Sequence, residues 1–395
     1  MISEKMTELG MKRSVIREIF EYGRKRKAEI GAENVFDFSL GNPSIPAPDC
    51  VKETMAKLIT EKDPVMLHGY TSAQGDLNVR KAMADYISEN FNIKADADLI
   101  YMTCGAAASL TVSLNAICNN GDEVIVLAPF FPEYKVFIEK AGASAVVVKC
   151  REEDFQIDFD ILSAAINNKT KAIIVNSPNN PCGVVLNEDT IKKLSDLSNE
   201  KSKELGNDIY IIADEPYREL VYGDIKVPYI PEYYDNTIVC YSFSKSLSLP
   251  GERIGYIFVS PKAQDCKTLY AAVCGAGRAL GFVCAPSLLQ YTVAELVGKT
   301  ADIEVYKKNR DLLYGTLIKY GYTAARPDGA FYLFVKSPEE DAGAFCEKAK
   351  KYELLLVPGD DFGYKGYVRI SYCVSTEMIE KSLPSFEKLI KEYQV

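Results

Sequence analysis

A chain of 395 residues, 47% hydrophobic and 26% charged, is ordinary globular material and long enough for two or three domains with sizeable cores. Its 46 basic and 55 acidic residues give a net charge of −9, which argues against nucleic acid or an anionic membrane as the main partner, so an anionic ligand must be held by a few well-placed cations. A single histidine, His68, and 11 cysteines without a CxxC pair argue against a metal centre, a disulfide framework and histidine-dependent catalysis.

Those thiols fit a reducing, cytoplasmic setting, and neither a leader-like apolar run at the N-terminus nor a run of about 18 apolar residues is present. Residues 14–30 space Val15, Ile16, Ile19, Phe20 and Ile30 among Arg and Lys, which predicts an amphipathic helix with a solvated basic face. Residues 35–40 read as a short strand, and Gly41-Asn42-Pro43 opens a proline-rich loop through Pro48 that marks a boundary. From Asp49 onward helices and short Val/Ile runs alternate. Helices are expected over 78–90, 106–118 and 189–205, and strands over 99–102, 123–127, 145–148, 172–175, 209–212, 238–241 and 254–259. Such runs interleaved with helices predict an α/β fold with a mainly parallel seven-stranded sheet covered on both faces. The remainder reads as a helical stretch over 287–320 interrupted near Gly298, strands over 329–335, 354–357 and 367–371, and a helix over 345–352. The expected organisation is a large domain, 49–285, and a smaller discontinuous α/β domain built from 1–48 and 286–395.

Ligands of parallel sheets sit at the carboxyl ends of the strands, so the residues that follow each strand matter most. Thr103-Cys104-Gly105-Ala106-Ala107 opens a helix whose free N–H groups suit a phosphate, although a plain strand-to-helix turn is a common alternative. Ala128-Pro129-Phe130-Phe131-Pro132 offers a ring to stack on a planar heterocycle, or to pack in the core. The turn from Asn176 to Gly183 is rigid and polar and can aim an amide at a ligand oxygen. Asp214 is placed either to bind a protonated ring nitrogen or to cap a helix, and Tyr217 follows it three residues on. Ser242-Phe243-Ser244-Lys245 then sets a lysine among hydroxyls, with Arg253 eight positions later. A desolvated lysine forms Schiff bases, and Ser with Arg binds phosphate, whereas on this stretch alone an exposed loop lysine is an equal reading. Taken together, an amine, a phosphate cradle, a ring stacker, a carboxylate and oxygen ligands on one sheet edge describe pyridoxal phosphate.

The stretch from Ser242 to Gly255 resembles the lysine site of the class I/II aminotransferases, pyridoxal-phosphate enzymes of fold type I. Ser177-Pro178-Asn179-Asn180-Pro181-Cys182-Gly183 resembles the family's SPNNPTG turn with Cys182 in the Thr place, and Asp214-Glu215-Pro216-Tyr217 resembles its D-x-x-Y. The likeness runs from Leu40-Gly41-Asn42-Pro43 to Val368-Arg369-Ile370-Ser371 and is of the aspartate aminotransferase kind. It implies that Lys245 carries the cofactor aldehyde and moves the proton during catalysis, that Asp214 keeps the pyridine nitrogen protonated, and that Tyr217 and Asn180 hydrogen-bond the ring oxygen. Phe131 would stack on the ring. Gly105, the Ala106 and Ala107 N–H groups, Ser242, Ser244 and Arg253 would hold the phosphate, with Tyr70 from a second subunit. Arg369 would pair with the substrate α-carboxylate beside Gly41 and Asn180.

The resemblance further implies a homodimer with the active site at the subunit interface and ping-pong exchange between an L-amino acid and a 2-oxo acid. An aspartate/2-oxoglutarate pair is expected, with Arg278 binding the distal carboxylate across the interface. Ala107 stands where one form of the family has a lysine, which weakens that expectation and leaves aromatic or small neutral substrates, or a C–S β-lyase of the same fold, as alternatives. Gly275 to Gly281 has the wrong spacing for a dinucleotide loop.

Overall fold

A computed structural model describes residues 2–11 and 15–394. Seven strands form the central sheet in the spatial order Ile100–Thr103, Gly255–Val259, Thr237–Ser242, Tyr210–Asp214, Thr170–Asn176, Glu123–Ala128, Ser144–Lys149. All neighbours pair in parallel except Gly255–Val259, which runs antiparallel to both of its neighbours. Each strand expected for this sheet is present to within two residues.

The near-continuous apolar runs reflect burial of both faces. Along Glu123–Ala128, Ile125 and Leu127 enter one core with Ile173, Val175, Ile211 and Ala213. The alternate residues Val124, Val126 and Ala128 enter the opposite core with Ala172, Ile174 and Ile212. Strand side chains alternate between faces, so a sheet covered by helices on both sides needs apolar residues at every position. Ala106–Ile117 and Cys266–Leu280 pack together on the second face, whereas Leu77–Asn90 lies on the first.

Beyond the sheet, Ser287–Glu295 packs on Asp49–Glu61 and Leu77–Asn90, and its Leu289 and Val293 belong to the large-sheet core. The helical stretch expected over 287–320 divides into Ser287–Glu295 and Glu304–Tyr320; Gly298, at φ 78°, lies in the break against the Tyr86 ring. A second, four-stranded antiparallel sheet has the order Val357–Pro358, Tyr367–Ser371, Tyr332–Lys336, Thr323–Ala324. Its core includes Leu313, Leu317, Phe345, Ile379 and Phe386. Residues 35–40 contribute only Phe36–Asp37, paired in parallel with Leu354–Leu355.

The expected basic helix spans Val15–Ile30, and Ser14 lies outside the described residues. Glu4–Met11, Asp49–Glu61, Glu133–Lys140 and Thr376–Lys391 are helices that periodicity did not single out. Among the described residues no helix is long and apolar enough to cross a membrane.

Candidate active site

The strands deliver their terminal residues to one cavity of about 300 Å³. Gly41, Ala106, Ala107, Phe131, Asn180, Asp214, Tyr217, Ser242, Ser244, Lys245, Arg253 and Arg369 line it. Although the chain is acidic overall, the cavity wall carries Lys245, Arg253 and Arg369 against a single carboxylate, Asp214. That local excess of positive charge favours anionic ligands.

One end of the cavity is built for an anion. Gly105 precedes the Ala106–Ile117 helix with φ 87°, and the first N–H groups of that helix have no partner within it. Gly105 also lets Arg253 come close, since a Cβ there would lie 2.8 Å from Arg253 Nη2. Ser242 Oγ lies 2.6 Å from Ser244 Oγ, and Arg253 Nη1 donates to Ser244 Oγ at 3.3 Å. Arg253 reaches this end because the chain reverses: Gly255 pairs with both Thr103 and Ser242 at the start of the antiparallel strand. Arg253 holds a left-handed backbone at φ 54°, a conformation that costs energy and clusters at ligand sites.

The opposite wall holds the acid. Asp214 is 5% exposed and accepts a hydrogen bond from Tyr134 Oη at 2.5 Å on Oδ2. Its Oδ1 has no partner among the described residues. Burial pushes the carboxyl up to about 7, against the lowering effect of the Tyr134 hydrogen bond. A cationic N–H donor at Oδ1 would satisfy the orphaned atom and restore the charged form. Asn176 fixes the neighbouring turn, donating to Asp214 O at 2.9 Å and accepting from Asn180 N at 2.8 Å. In the Thr place of the turn, Cys182 Sγ donates to Asn179 Oδ1 at 3.0 Å, the hydrogen bond that a hydroxyl would make.

Between these ends sits the amine. Lys245 Nζ donates to Gly41 O at 2.7 Å, and burial brings its ammonium down to about 8. Such a lysine is neutral for part of the time near physiological pH and can act as a nucleophile. Arg369 is 2% exposed; Nη1 donates to Asn180 Oδ1 at 3.1 Å and Nη2 to Ser39 O at 2.5 Å. Neither partner is an acid, and Nε has no partner among the described residues. A buried guanidinium in this condition calls for a carboxylate from a ligand.

The orphaned Asp214 oxygen, the depressed lysine and the anion cradle fit pyridoxal phosphate in donor chemistry. Three expected residues do not line the cavity. Tyr70 is 98% exposed, and Arg278 is exposed in the last turn of Cys266–Leu280. Gly105 stands behind Arg253 rather than on the cavity wall. Ile16, Leu110 and Tyr332 line the cavity without having been expected there from the sequence, Asn176 lines it as part of the expected polar turn, and Tyr134 stands behind Asp214. Tyr134 was accessible from spacing: it follows the ring candidate Phe131 by three residues, and the two rings meet edge to face at 5.7 Å.

Known proteins place this site in context. The family model for aminotransferase class I and II matches residues 33–386. A probable aspartate aminotransferase of Methanocaldococcus jannaschii is 31% identical over 97% of this chain and 98% of its own. Aromatic-amino-acid aminotransferase 2 of Thermococcus litoralis is 28% identical over 96% of each. The crystal structure of an amino transferase from Eubacterium rectale superposes with a TM-score of 0.98 at 58% identity, covering 100% of this chain and 99% of that one. The chain therefore belongs to the class I and II aminotransferase family and is a pyridoxal-phosphate-dependent aminotransferase of fold type I.

Proposed function

We propose that the cavity moves an amino group from aspartate to 2-oxoglutarate, with Lys245, Asp214 and Arg369 in the central roles. The observation that carries the reading is the juxtaposition of an unpartnered Asp214 Oδ1 and a pKa-depressed Lys245 in one cavity. When bound, the cofactor supplies the electron sink for the carbanion formed at the substrate Cα.

The chain's own groups do the rest. The Ala106 and Ala107 N–H groups, Ser242, Ser244 and Arg253 bind the phosphate, with Gly105 giving Arg253 room and the partner subunit's Tyr70 adding a hydroxyl. Phe131 stacks on the ring, Asp214 Oδ1 holds the ring-nitrogen proton, and Tyr217 with Asn180 donates to the ring oxygen. Lys245 Nζ would hold the aldehyde until the incoming amino group displaces it, and the freed amine would then carry the proton from the substrate Cα to the cofactor carbon, with the reverse transfer in the second half-reaction. Arg369 clamps the α-carboxylate beside Gly41. The pairing in this chain of Arg369 with Asn180 and Ser39 already holds the guanidinium in place for it.

Full exposure of Tyr70, together with Val65 at 79% and Met66 at 63%, supports a homodimer whose partner covers this surface. In that dimer Arg278 would face the distal carboxylate of the neighbouring site. For the domain division, the Ser287–Glu295 helix packs into the large-sheet core and would extend the larger unit beyond residue 285. The segment before Asp49 bridges the two units, with Ile19 and Val35 in the large-sheet core and Phe38 and the Phe36–Asp37 strand on the C-terminal unit. The composition supports a cytoplasmic location. Ile16 and Leu110 on the cavity wall favour one second reading, an aromatic amino acid as donor.

A screen of amino donors against 2-oxoglutarate, following the cofactor spectrum, tests the assignment. Aspartate should head the ranking. A ranking led by phenylalanine or tyrosine would establish the second reading, and pyruvate with ammonia released from cystathionine without an oxo-acid acceptor would indicate β-elimination.

A further inference from the structure

Tyr332 is absent from the roles above, although its phenol lines the same cavity. The side chain is 2% exposed, and its hydroxyl lies 2.9 Å from Tyr217 Oη with the two rings at 85°. On another side stands Gly41, where an added Cβ would overlap the Tyr332 hydroxyl. The Arg369 guanidinium sits 4.9 Å from the ring centre. These neighbours hold one hydroxyl against Tyr217.

Two phenols at this distance share one hydrogen bond, and the direction of donation depends on what else each one meets. If Tyr217 donates to the ring oxygen of the cofactor, as in the reading above, it can only accept from Tyr332. The electrostatics agree with this direction. Burial pushes Tyr332 up to about 12 and Tyr217 well above its ordinary value, and Arg369 is the foremost influence drawing Tyr332 back down, whereas it is a minor one for Tyr217. A hydroxyl that accepts a hydrogen bond becomes a stronger donor itself.

We propose that Tyr332 is a positioning residue that acts through Tyr217: its hydroxyl donates to Tyr217 Oη and strengthens the hydrogen bond from Tyr217 to the cofactor's ring oxygen. The consequence is a lower proton affinity for the nitrogen that links Lys245 to the cofactor. The proposal rests on the role given to Tyr217, and its test separates the two.

Wild-type enzyme, Tyr332→Phe, Tyr217→Phe and the double variant are loaded with pyridoxal phosphate, and the absorbance of the Lys245-linked cofactor is titrated with pH. Tyr332→Phe should raise the midpoint by about 0.1 to 0.7 unit, from the loss of a strengthening of about 10–30% in one charge-assisted hydrogen bond. In the Tyr217→Phe background the same substitution should add nothing. An unchanged midpoint in Tyr332→Phe, or an equal shift on both backgrounds, overturns the proposal while leaving the role of Tyr217 intact. If Tyr217→Phe itself leaves the midpoint unmoved, the role of Tyr217 falls and the proposal falls with it.

Discussion

Without its cofactor the enzyme should lose stability as pH rises, and Asp214 should account for much of the loss. The carboxyl is buried with one oxygen unpartnered, and its folded pKa is raised from 3.8 to about 7. A raised carboxyl favours the protonated folded state, so its contribution is fully present below the unfolded value of about 4 and is gone once pH has passed the folded value. A shift of about 3 units corresponds to roughly 4 kcal/mol. With an unfolding entropy of about 2.1 cal/mol/K per residue, that is about 5 °C in melting temperature for a chain of this size. Asp214→Asn keeps the acceptor for Tyr134 and removes the titration. Melting scans of the two apoproteins from pH 5 to 8 cover about 2 of those 3 units, so they should diverge with the wild type falling about 3 °C further than the variant. Addition of pyridoxal phosphate should remove the wild-type decline, because a protonated ring nitrogen stabilises the ionised carboxylate. Parallel scans for the two apoproteins would refute the reasoning, since the decline would then arise elsewhere.

Other perturbations address separate parts of the molecule. Arg218 donates through Nε to Glu215 at 2.6 Å within the core and lies over Phe91 and Tyr229, so Arg218→Ala should cost about 3–5 kcal/mol by stranding a buried carboxylate. Its melting temperature at neutral pH should drop by about 4–6 °C, and a change below 1 °C would contradict a dry ion pair. Arg369→Lys removes a forked donor, and KM for the amino donor should rise about 30–100-fold in steady-state assays, with the titration midpoint of the linked cofactor nearly unchanged. Arg278→Ala should lower kcat/KM for aspartate relative to alanine; an unaltered ratio would remove Arg278 from substrate selection.

The large sheet was legible because its physics is local. Both faces of a parallel sheet are buried, so runs such as Ile173 to Val175 and Ile211 to Ala213 carry no polar residue and stand out between amphipathic helices. Side chains that follow such strands necessarily meet at one edge, which is why Asp214 and Lys245 could be paired before any coordinates. Glu133–Lys140 escaped notice because two turns carry little periodicity, whereas Thr376–Lys391 repeats Ile379, Phe386 and Leu389 at helical spacing but contains Pro384, which reads as a helix breaker.

What the chain's order alone determined was the α/β architecture and the chemical inventory of the sheet edge, since both follow from nearest-neighbour patterning. Tertiary structure decided how that inventory is tuned. The antiparallel Gly255–Val259 strand carries Arg253 back to the anion cradle, and Arg369 meets Asn180 across 189 positions. Tyr332 reaches Tyr217 only through the packing of the second sheet against the first, and Asp214 Oδ1 is left without a partner only because everything around it closes. Burial and pairing of this kind depend on contacts between segments far apart in the chain, and no local pattern of residue types encodes them.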